Sequence, residues 1–249
     1  MTKEEAIVET SKRILEAYKN KSTTDEKLLK LYESLQKLVE DSKTSKTLEA
    51  DFFKVVDDYA FRSGEILADV FADIFDYSHI PKELLDNMNL AFDTSQRLIV
   101  PAMALNADDV LKQCKAMQDT LNAVNGFGVA YAEPSKDFER YYSICKKLAE
   151  YEDYRDGLFL LGKEVTSSIA GNNVTESQKA NAERQGDLGI PVTVTRTAER
   201  NACKWCKAKA GTFDYSDVKN NGSEVWLRHD NCRCSIVVKY DSGHKARKI

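Results

Sequence analysis

Four of the six cysteines lie within residues 203–234, in a chain that contains few cysteines elsewhere. Cys203 and Cys206 form a Cys-x-x-Cys pair, and Cys232 and Cys234 form a Cys-x-Cys pair after a gap of 25 residues. Zn²⁺ prefers thiolate and imidazole ligands, and four of them close a tetrahedral structural site. The stretch therefore predicts one structural zinc site per chain.

The local geometry allows both cysteine pairs to face one ion. Side chains three positions apart share a face of a helical turn, and side chains two positions apart point to the same side of a strand. His229 adds a fifth candidate ligand for four positions. We expect the four cysteines to bind the metal, with His229 either replacing one of them or making a hydrogen bond to a ligand.

Other states of these cysteines stay open. Free thiols are often simply buried in a core, and an oxidising environment would allow disulfides. A thioredoxin-like redox role would place Cys203 and Cys206 after a strand and at the start of a βαβ unit. That role is disfavoured, because the sequence before residue 190 has helical periodicity.

Short strands are predicted around the cysteines. The segments 211–215, 224–227 and 235–240 have the composition of strands, and a turn at 220–222 would join the first two. These strands would form the scaffold of the zinc site.

The order of motifs in this region resembles that of a viral protein family. A valine-rich segment ends at Arg196 and is followed by Cys203-Lys-Trp-Cys206, by Ala210-Gly211 and by His229-Asp-Asn-Cys232-Arg-Cys234. This order is similar to the C-terminal signature of the minor head proteins of tailed phages, the Mu F-like head-morphogenesis family. The resemblance covers about 50 of the 249 residues, and Asp230 stands where the family commonly has proline.

The resemblance implies a structural minor head protein that acts in head assembly at or near the portal, with carriage inside the head as a further expectation. Its partners would be the phage portal and capsid proteins and packaged DNA, with several copies in each particle. Its location would be the virion, after synthesis in the host cytoplasm. The resemblance implies no catalytic residue and no organic cofactor.

Two functions of other classes stay open. Residues 190–249 carry 12 Lys and Arg against 6 Asp and Glu, whereas residues 1–189 carry 24 against 34, and such asymmetry can mark a nucleic-acid-binding zinc protein. A nuclease or redox enzyme would use Cys203 or His229. No phosphate-binding Gly-x-x-x-x-Gly-Lys motif follows a predicted strand, and the Gly-x-Ser-x-Gly and His-Glu-x-x-His motifs are absent, so we expect no enzymatic activity.

Helical periodicity dominates the sequence before residue 185. Thr2 and Glu5 form a capping box that predicts a first helix. A second start signal at 23–26 predicts another helix and a hinge at 20–24. Together they predict a helical hairpin.

The longest predicted helix covers residues 47–77, and its apolar stripe implies packing against at least two other helices. Acidic residues lie opposite that stripe, and no histidine-bearing motif accompanies them. We therefore expect them on a solvated face; they are Asp57, Asp58, Glu65, Asp69 and Asp73.

Helix signals continue to residue 170. Pro101 is expected to end or bend the helix that begins at Pro81, after which 106–109 opens another helix. The remaining predictions are an end of that helix near Val124, a helix from Ser135, a helix over 157–170 that stops at 170–173, and core positions for Cys114 and Cys145.

Residues 174–185 are almost all polar, so a solvated helix or a bridging segment is predicted there. After this segment, the spacing of apolar residues changes from the helical period of 3.6 to the strand period of 2. This change places a domain boundary near residue 189. The predicted fold is mainly α: a multi-helix body at residues 1–188 and a small β-rich, zinc-ribbon-like Cys/His module with a short basic tail at 189–249. No apolar run reaches the roughly 18 residues of a membrane span, and a signal-peptide pattern is absent.

Overall fold

The computed structural model describes residues 1–42, 49–200, 202–221, 223–229 and 233–241. Most of these residues are helical, and a three-stranded antiparallel sheet lies near the C-terminus. The predicted fold class, mainly α with a small β-containing C-terminal part, is confirmed.

The secondary structure begins with six longer helices: α1 Lys3–Thr24, α2 Glu26–Asp41, α3 Glu49–Ile74, α4 Phe92–Val124, α5 Phe138–Ala149 and α6 Lys163–Asp187. Two 3-10 helices are Lys82–Leu84 and Tyr154–Leu161. The C-terminal elements are β1 Val192–Thr197, α7 Lys204–Ala208, β2 Gly211–Asp214, α8 Tyr215–Asn221, α9 Ser223–Trp226 and β3 Ser235–Tyr240.

The predicted start of α1 is confirmed. The Thr2 hydroxyl accepts a hydrogen bond from the backbone of Glu5 at 3.2 Å, and the Glu5 carboxylate accepts one from the backbone of Thr2 at 2.8 Å. The break between α1 and α2 lies at Asp25, one residue beyond the predicted hinge at 20–24. Asp25 accepts the backbone N–H of Leu28 at 2.8 Å, which satisfies a donor in the first turn of α2.

Helix α4 continues through Pro101 and through 106–109, so of the two outcomes expected at Pro101 an end of the helix is wrong, and no new helix starts at 106–109. The predicted stop at 170–173 is also wrong, because α6 continues through these residues. Packing stabilises a helix more than local propensity does, so single unfavourable residues are tolerated. Asn106 is an example, because it is buried and its side-chain amide donates to the Tyr18 hydroxyl at 3.0 Å.

Residues 174–185 were predicted as a solvated helix or a bridging segment; they are helical, but the predicted solvation is wrong. These residues form the second half of α6, and the segment presents a buried polar stripe. Its side chains are stabilised by hydrogen bonds: Gln178 donates to the Ile236 carbonyl at 2.9 Å, Asn181 to the Ala132 carbonyl at 2.9 Å, and Gln185 to Asn122 at 2.7 Å.

The sheet has the order β2-β1-β3, and both pairings are antiparallel. Alternating residues of the central strand β1 are buried, namely Val192, Val194 and Arg196. The strands predicted at 211–215 and 235–240 are confirmed, whereas 224–227 was predicted as a strand and instead contains helix α9. A segment of four residues is too short for its own pattern to distinguish a strand from a helical turn.

The described chain forms two compact units, each assembled from three stretches of sequence. Unit 1 contains 1–29, 61–109 and 136–170, and unit 2 contains 30–60, 110–135 and 171–249. These units do not coincide with the predicted division after residue 188, because the C-terminal sheet belongs to the same unit as parts of α3, α4 and α6. The division into a body at residues 1–188 and a module at 189–249 stays a prediction.

Unit 1 contains a buried hydrogen-bonded cluster and a partly buried ion-pair cluster. The Tyr18 hydroxyl lies 3.1 Å from the Ser63 hydroxyl, and Asn106 donates to both groups. Arg62 donates to the carboxylates of Asp25 and Glu65, at 3.0 and 2.8 Å. The Arg62 guanidinium lowers the pKa of Asp25 to about 2.

Unit 2 packs the sheet against helices. Tyr240 of β3 donates its hydroxyl to Gln118 of α4 at 3.1 Å, and its ring meets that of Phe127 edge to face at 6.0 Å. Asp57 was predicted on a solvated face, but it is buried and pairs with Arg228. Its partner is 171 positions away in sequence, which explains why the helical pattern of α3 did not indicate it. None of the helices within the described ranges has the length and hydropathy needed to cross a membrane.

Candidate metal centre

Three of the predicted ligands converge in unit 2. The Sγ atoms of Cys203 and Cys206 and a ring nitrogen of His229 all lie within 4.8 Å of one another. The Nε2 atom of His229 is 3.3 Å from the sulfur of Cys203 and 3.0 Å from that of Cys206. These three side chains could hold a metal ion, because two thiolates and an imidazole are a common part of a tetrahedral set.

Helix α7 positions the two cysteines. Cys203 is its N-cap, and its sulfur accepts the backbone N–H of Cys206 at 3.4 Å. Cys206 lies three residues later, so both sulfurs point to the same side of this turn. His229 reaches the pair from the segment that follows helix α9.

The two thiols have different surroundings. Cys203 is exposed, and its pKa is lowered to about 7 by the backbone N–H of Cys206, with further contributions from the Cys206 side chain and from His229. Cys206 is 1% exposed. The thiolate is the form of cysteine that binds metals and reacts with electrophiles. The lowered pKa therefore favours metal binding and alkylation of Cys203 near neutral pH.

Cys234 lies beside this group without joining it. Its side chain is 2% exposed and packs against Cys206, in a small cluster with Ala198, Ala202 and Trp205. It is not among the residues whose ligand atoms come within 4.8 Å of one another. Cys232 lies outside the described residues. Of the five predicted ligands, the structure thus brings three together and places a fourth next to them.

His229 belongs to this three-residue group itself. The sequence left open whether it would replace a cysteine or only make a hydrogen bond to one. Its Nε2 atom lies 3.3 and 3.0 Å from the two sulfurs, and these distances fit both a direct metal ligand and a hydrogen bond to a ligand. The cysteines that the structure describes are free thiols, including Cys114 and Cys145, which are buried as predicted.

Two buried arginines were not predicted as part of this site. Arg196 is 1% exposed and donates to the Val225 and Leu227 carbonyl oxygens at 2.6 and 2.7 Å and to the Cys206 sulfur at 3.6 Å. The alternation of β1 could have indicated its burial, because Arg196 shares a face with two valines.

The second arginine, Arg228, directly precedes His229. It donates to both carboxylate oxygens of Asp57, at 2.8 and 3.0 Å, and to the Thr175 hydroxyl at 2.6 Å. These contacts attach the His229 segment to helices α3 and α6 within unit 2. No local signal in the sequence indicated this pairing, because both partners are distant along the chain.

Comparison of the chain with protein families, with curated proteins and with solved structures finds no match.

Proposed function

We propose that this chain is a structural minor head protein of a tailed bacteriophage, which acts in head assembly at or near the portal. One observation carries the proposal: four residues of the phage-like signature lie together in the structure. They are Arg196, Cys203, Cys206 and His229, which span 34 positions of sequence, yet their side chains meet within hydrogen-bonding distance. Such convergence supports reading the signature as one functional motif.

The site is proposed to hold one structural Zn²⁺. Thiolate and imidazole ligands suit Zn²⁺ and disfavour Mg²⁺ and Ca²⁺, which take oxygen ligands. Cys203, Cys206 and His229 supply three ligands, and the fourth comes from Cys232 or Cys234. A four-ligand site leaves no position for substrate, which is the pattern of structural zinc.

The surroundings of the ligands favour a structural role as well. The ligands come from the turn of α7 and from the segment after α9, and Arg196 at the end of β1 contacts both. A metal there would therefore connect the turn of α7 to the segment after α9. In the phage head, this closed module and the helices would serve as assembly surfaces for portal and capsid proteins.

Zinc content tests the site. The full chain purified without chelators should contain about one equivalent of zinc. Cys206→Ser should lose that zinc, and Cys145→Ser is the matched control, since Cys145 is an equally buried thiol in unit 1. A folded wild-type protein without bound metal would contradict the zinc site.

Association with particles tests the biological role. Mass spectrometry of purified phage particles should detect the chain in a few copies relative to the major capsid protein. It should also copurify with the portal protein from infected cells. Detection in the lysate but never in particles would contradict a head protein.

A nucleic-acid-binding zinc protein is the second candidate, and the excess of basic residues at 190–249 favours it. Binding of the full chain to duplex DNA, titrated with salt, separates the two functions. Contacts to phosphates release counterions, so DNA affinity should fall by about 0.9 log unit per log unit of salt for each phosphate neutralised. Micromolar binding at about 150 mM salt with such a steep slope would favour the DNA-binding function.

A further inference from the structure

Arg196 occupies an unusual position for a charged residue. It lies near the end of the central strand β1, paired with Gly211 of β2 and with Ile236 of β3. Its side chain is among the largest in the described residues to be fully buried. A buried guanidinium is costly unless its donors are used, so its hydrogen-bond partners indicate what it does.

One nitrogen of the Arg196 guanidinium holds the segment that leads to His229. Nη1 donates to the carbonyl oxygens of Val225 at 2.6 Å and Leu227 at 2.7 Å. These carbonyls are at the end of α9 and just beyond it, and His229 follows two residues after Leu227. The guanidinium therefore fixes the backbone from which the histidine ligand projects.

The other side of the same guanidinium contacts the cysteine half of the site. Nη2 donates to the Cys206 sulfur at 3.6 Å, and the guanidinium carbon lies 5.3 Å from the centre of the Trp205 ring. That ring in turn meets the His229 imidazole edge to face at 5.8 Å. Arg196 thus contacts Cys206 and the backbone that leads to His229, and Trp205 contacts both Arg196 and His229.

We propose that Arg196 is the positioning residue of the metal centre: it holds the α7 cysteine pair and the His229 segment at the separation that one metal ion requires. This inference rests on the proposed zinc site. A donor on the sulfur also places positive charge beside the negative charge that thiolates bring. Groups that orient metal ligands in this way typically contribute 10–100-fold to metal affinity.

Lysine cannot perform this role in the same geometry. The planar guanidinium offers five N–H donors in a fixed fork, whereas an ammonium group is a single point of charge on a flexible stem. One ammonium at this site cannot reach two carbonyl oxygens and a sulfur on opposite sides. Arg196→Lys therefore keeps the positive charge but loses the hydrogen bonds that connect the His229 segment to Cys206.

The test uses Co²⁺ as the probe metal in the full chain. Co²⁺ bound by two or more thiolates gives a charge-transfer absorption whose position and intensity report the ligand geometry. Affinity is measured by competition with a chelator, and folding by circular dichroism on the same samples. We expect Arg196→Met and Arg196→Lys to bind Co²⁺ about 10–100-fold more weakly than wild type and to alter the absorption band.

A matched control separates positioning from general stability. Arg62→Met removes a partly buried arginine of unit 1 whose partners are Asp25 and Glu65, so it should lower stability without changing the Co²⁺ affinity or spectrum. Wild-type affinity and spectrum in a folded Arg196→Lys protein would overturn the inference. Failure of the wild-type chain to bind Co²⁺ would instead overturn the zinc site itself.

If the variants do not fold, a measurement on the wild-type chain tests whether Arg196 positions the metal ligands. In protein loaded with ¹¹³Cd²⁺, a hydrogen bond from Arg196 to a metal-bound sulfur should transmit scalar coupling between cadmium and a guanidinium proton. The same guanidinium protons should exchange slowly with solvent. Absence of the coupling, together with fast exchange of these protons, would also overturn the inference.

Discussion

Arg228 and Asp57 form a buried ion pair across 171 positions of sequence, with Arg228 Nη2 at 2.8 and 3.0 Å from the two carboxylate oxygens. The Arg228 side chain has no exposed surface, and that of Asp57 is 8% exposed. The pair joins helix α3 to the residue that precedes His229, so it links the interior of unit 2 to the candidate metal centre. The contact to Thr175 brings α6 into the same connection.

Breaking this pair on one side should be strongly destabilising. Asp57→Leu or Arg228→Met leaves an uncompensated buried charge or an unsatisfied carboxylate, and we expect each to lower the free energy of unfolding by about 3–5 kcal/mol. The double variant removes both charges, so its free energy of unfolding should fall by clearly less than the sum of the decreases in the two single variants. Urea denaturation of the four proteins measures this coupling.

An exposed pair provides the control for that cycle. Lys12 and Glu16 lie on the surface of α1 with 3.8 Å between their charged atoms, and Glu16→Gln should change stability by less than about 0.5 kcal/mol. Additive effects of Asp57→Leu and Arg228→Met would mean that the buried pair does not act as a unit.

Thiol reactivity should reveal the environment of Cys203 in the metal-free chain. The backbone N–H of Cys206 lowers the pKa of Cys203 to about 7, whereas burial raises the pKa of Cys145 to about 11. The thiolate fraction increases as pH rises through the pKa, so alkylation of Cys203 should reach half its maximal rate near pH 7. Peptide mass spectrometry after short iodoacetamide pulses at pH 5.5 to 9 measures each cysteine separately.

Two comparisons make the alkylation result specific. His229→Ala should move the midpoint for Cys203 upward, because the imidazole contributes to the lowered pKa. Added Zn²⁺ should protect Cys203 if it is a ligand. A midpoint near 9 in the wild-type chain would contradict the described arrangement of α7 and His229.

Some of this fold could be predicted because its signals are local. The capping box at Thr2 and Glu5 requires only neighbouring residues, and the alternation in β1 is a property of six consecutive positions. The polar stripe of α6 could not be interpreted in this way. Gln178 and Gln185 are spaced like a solvated face, but they are buried, and groups that are distant in sequence accept their hydrogen bonds.

The candidate site also contains residues that the sequence indicated and residues that it did not. Cysteine pairs and a histidine at ligand spacing indicate metal chemistry by residue type alone, and three of them meet. The partners of Arg196 and Arg228 depend on tertiary packing, which no spacing rule encodes. A residue that positions a ligand through backbone carbonyls is therefore harder to predict from sequence than the ligand itself.

Truncation tests the domain division. The predicted body, residues 1–188, would lack the partners of Asp57, Gln118 and Gln178, all buried in unit 2. We expect this fragment to keep helical circular dichroism but to lose the cooperative thermal transition of the full chain, because buried polar groups and apolar surface are left uncovered. A chain ending at residue 241 retains all of these contacts and serves as the control. A sharp transition in the shorter fragment would establish independent folding of the body.

Gly64 tests the packing of α3 against α6 within unit 1. A Cβ atom at this position would lie 2.6 Å from the Ser167 Cα and 2.7 Å from the Thr166 carbonyl oxygen, so the clash is with backbone and no side-chain rotation can relieve it. Alanine would favour the helix by about 1 kcal/mol over glycine, whereas overpacking typically costs about 1–3 kcal/mol or more. Because the distances are so short, we expect the clash to dominate and Gly64→Ala to be destabilising in urea titrations.

Gly128→Ala is the control, since a Cβ there meets nothing within 4 Å and stability should stay within about 0.5 kcal/mol of wild type. A stabilised Gly64→Ala protein would mean that helix propensity decides the outcome and that α3 and α6 are farther apart at this point than described.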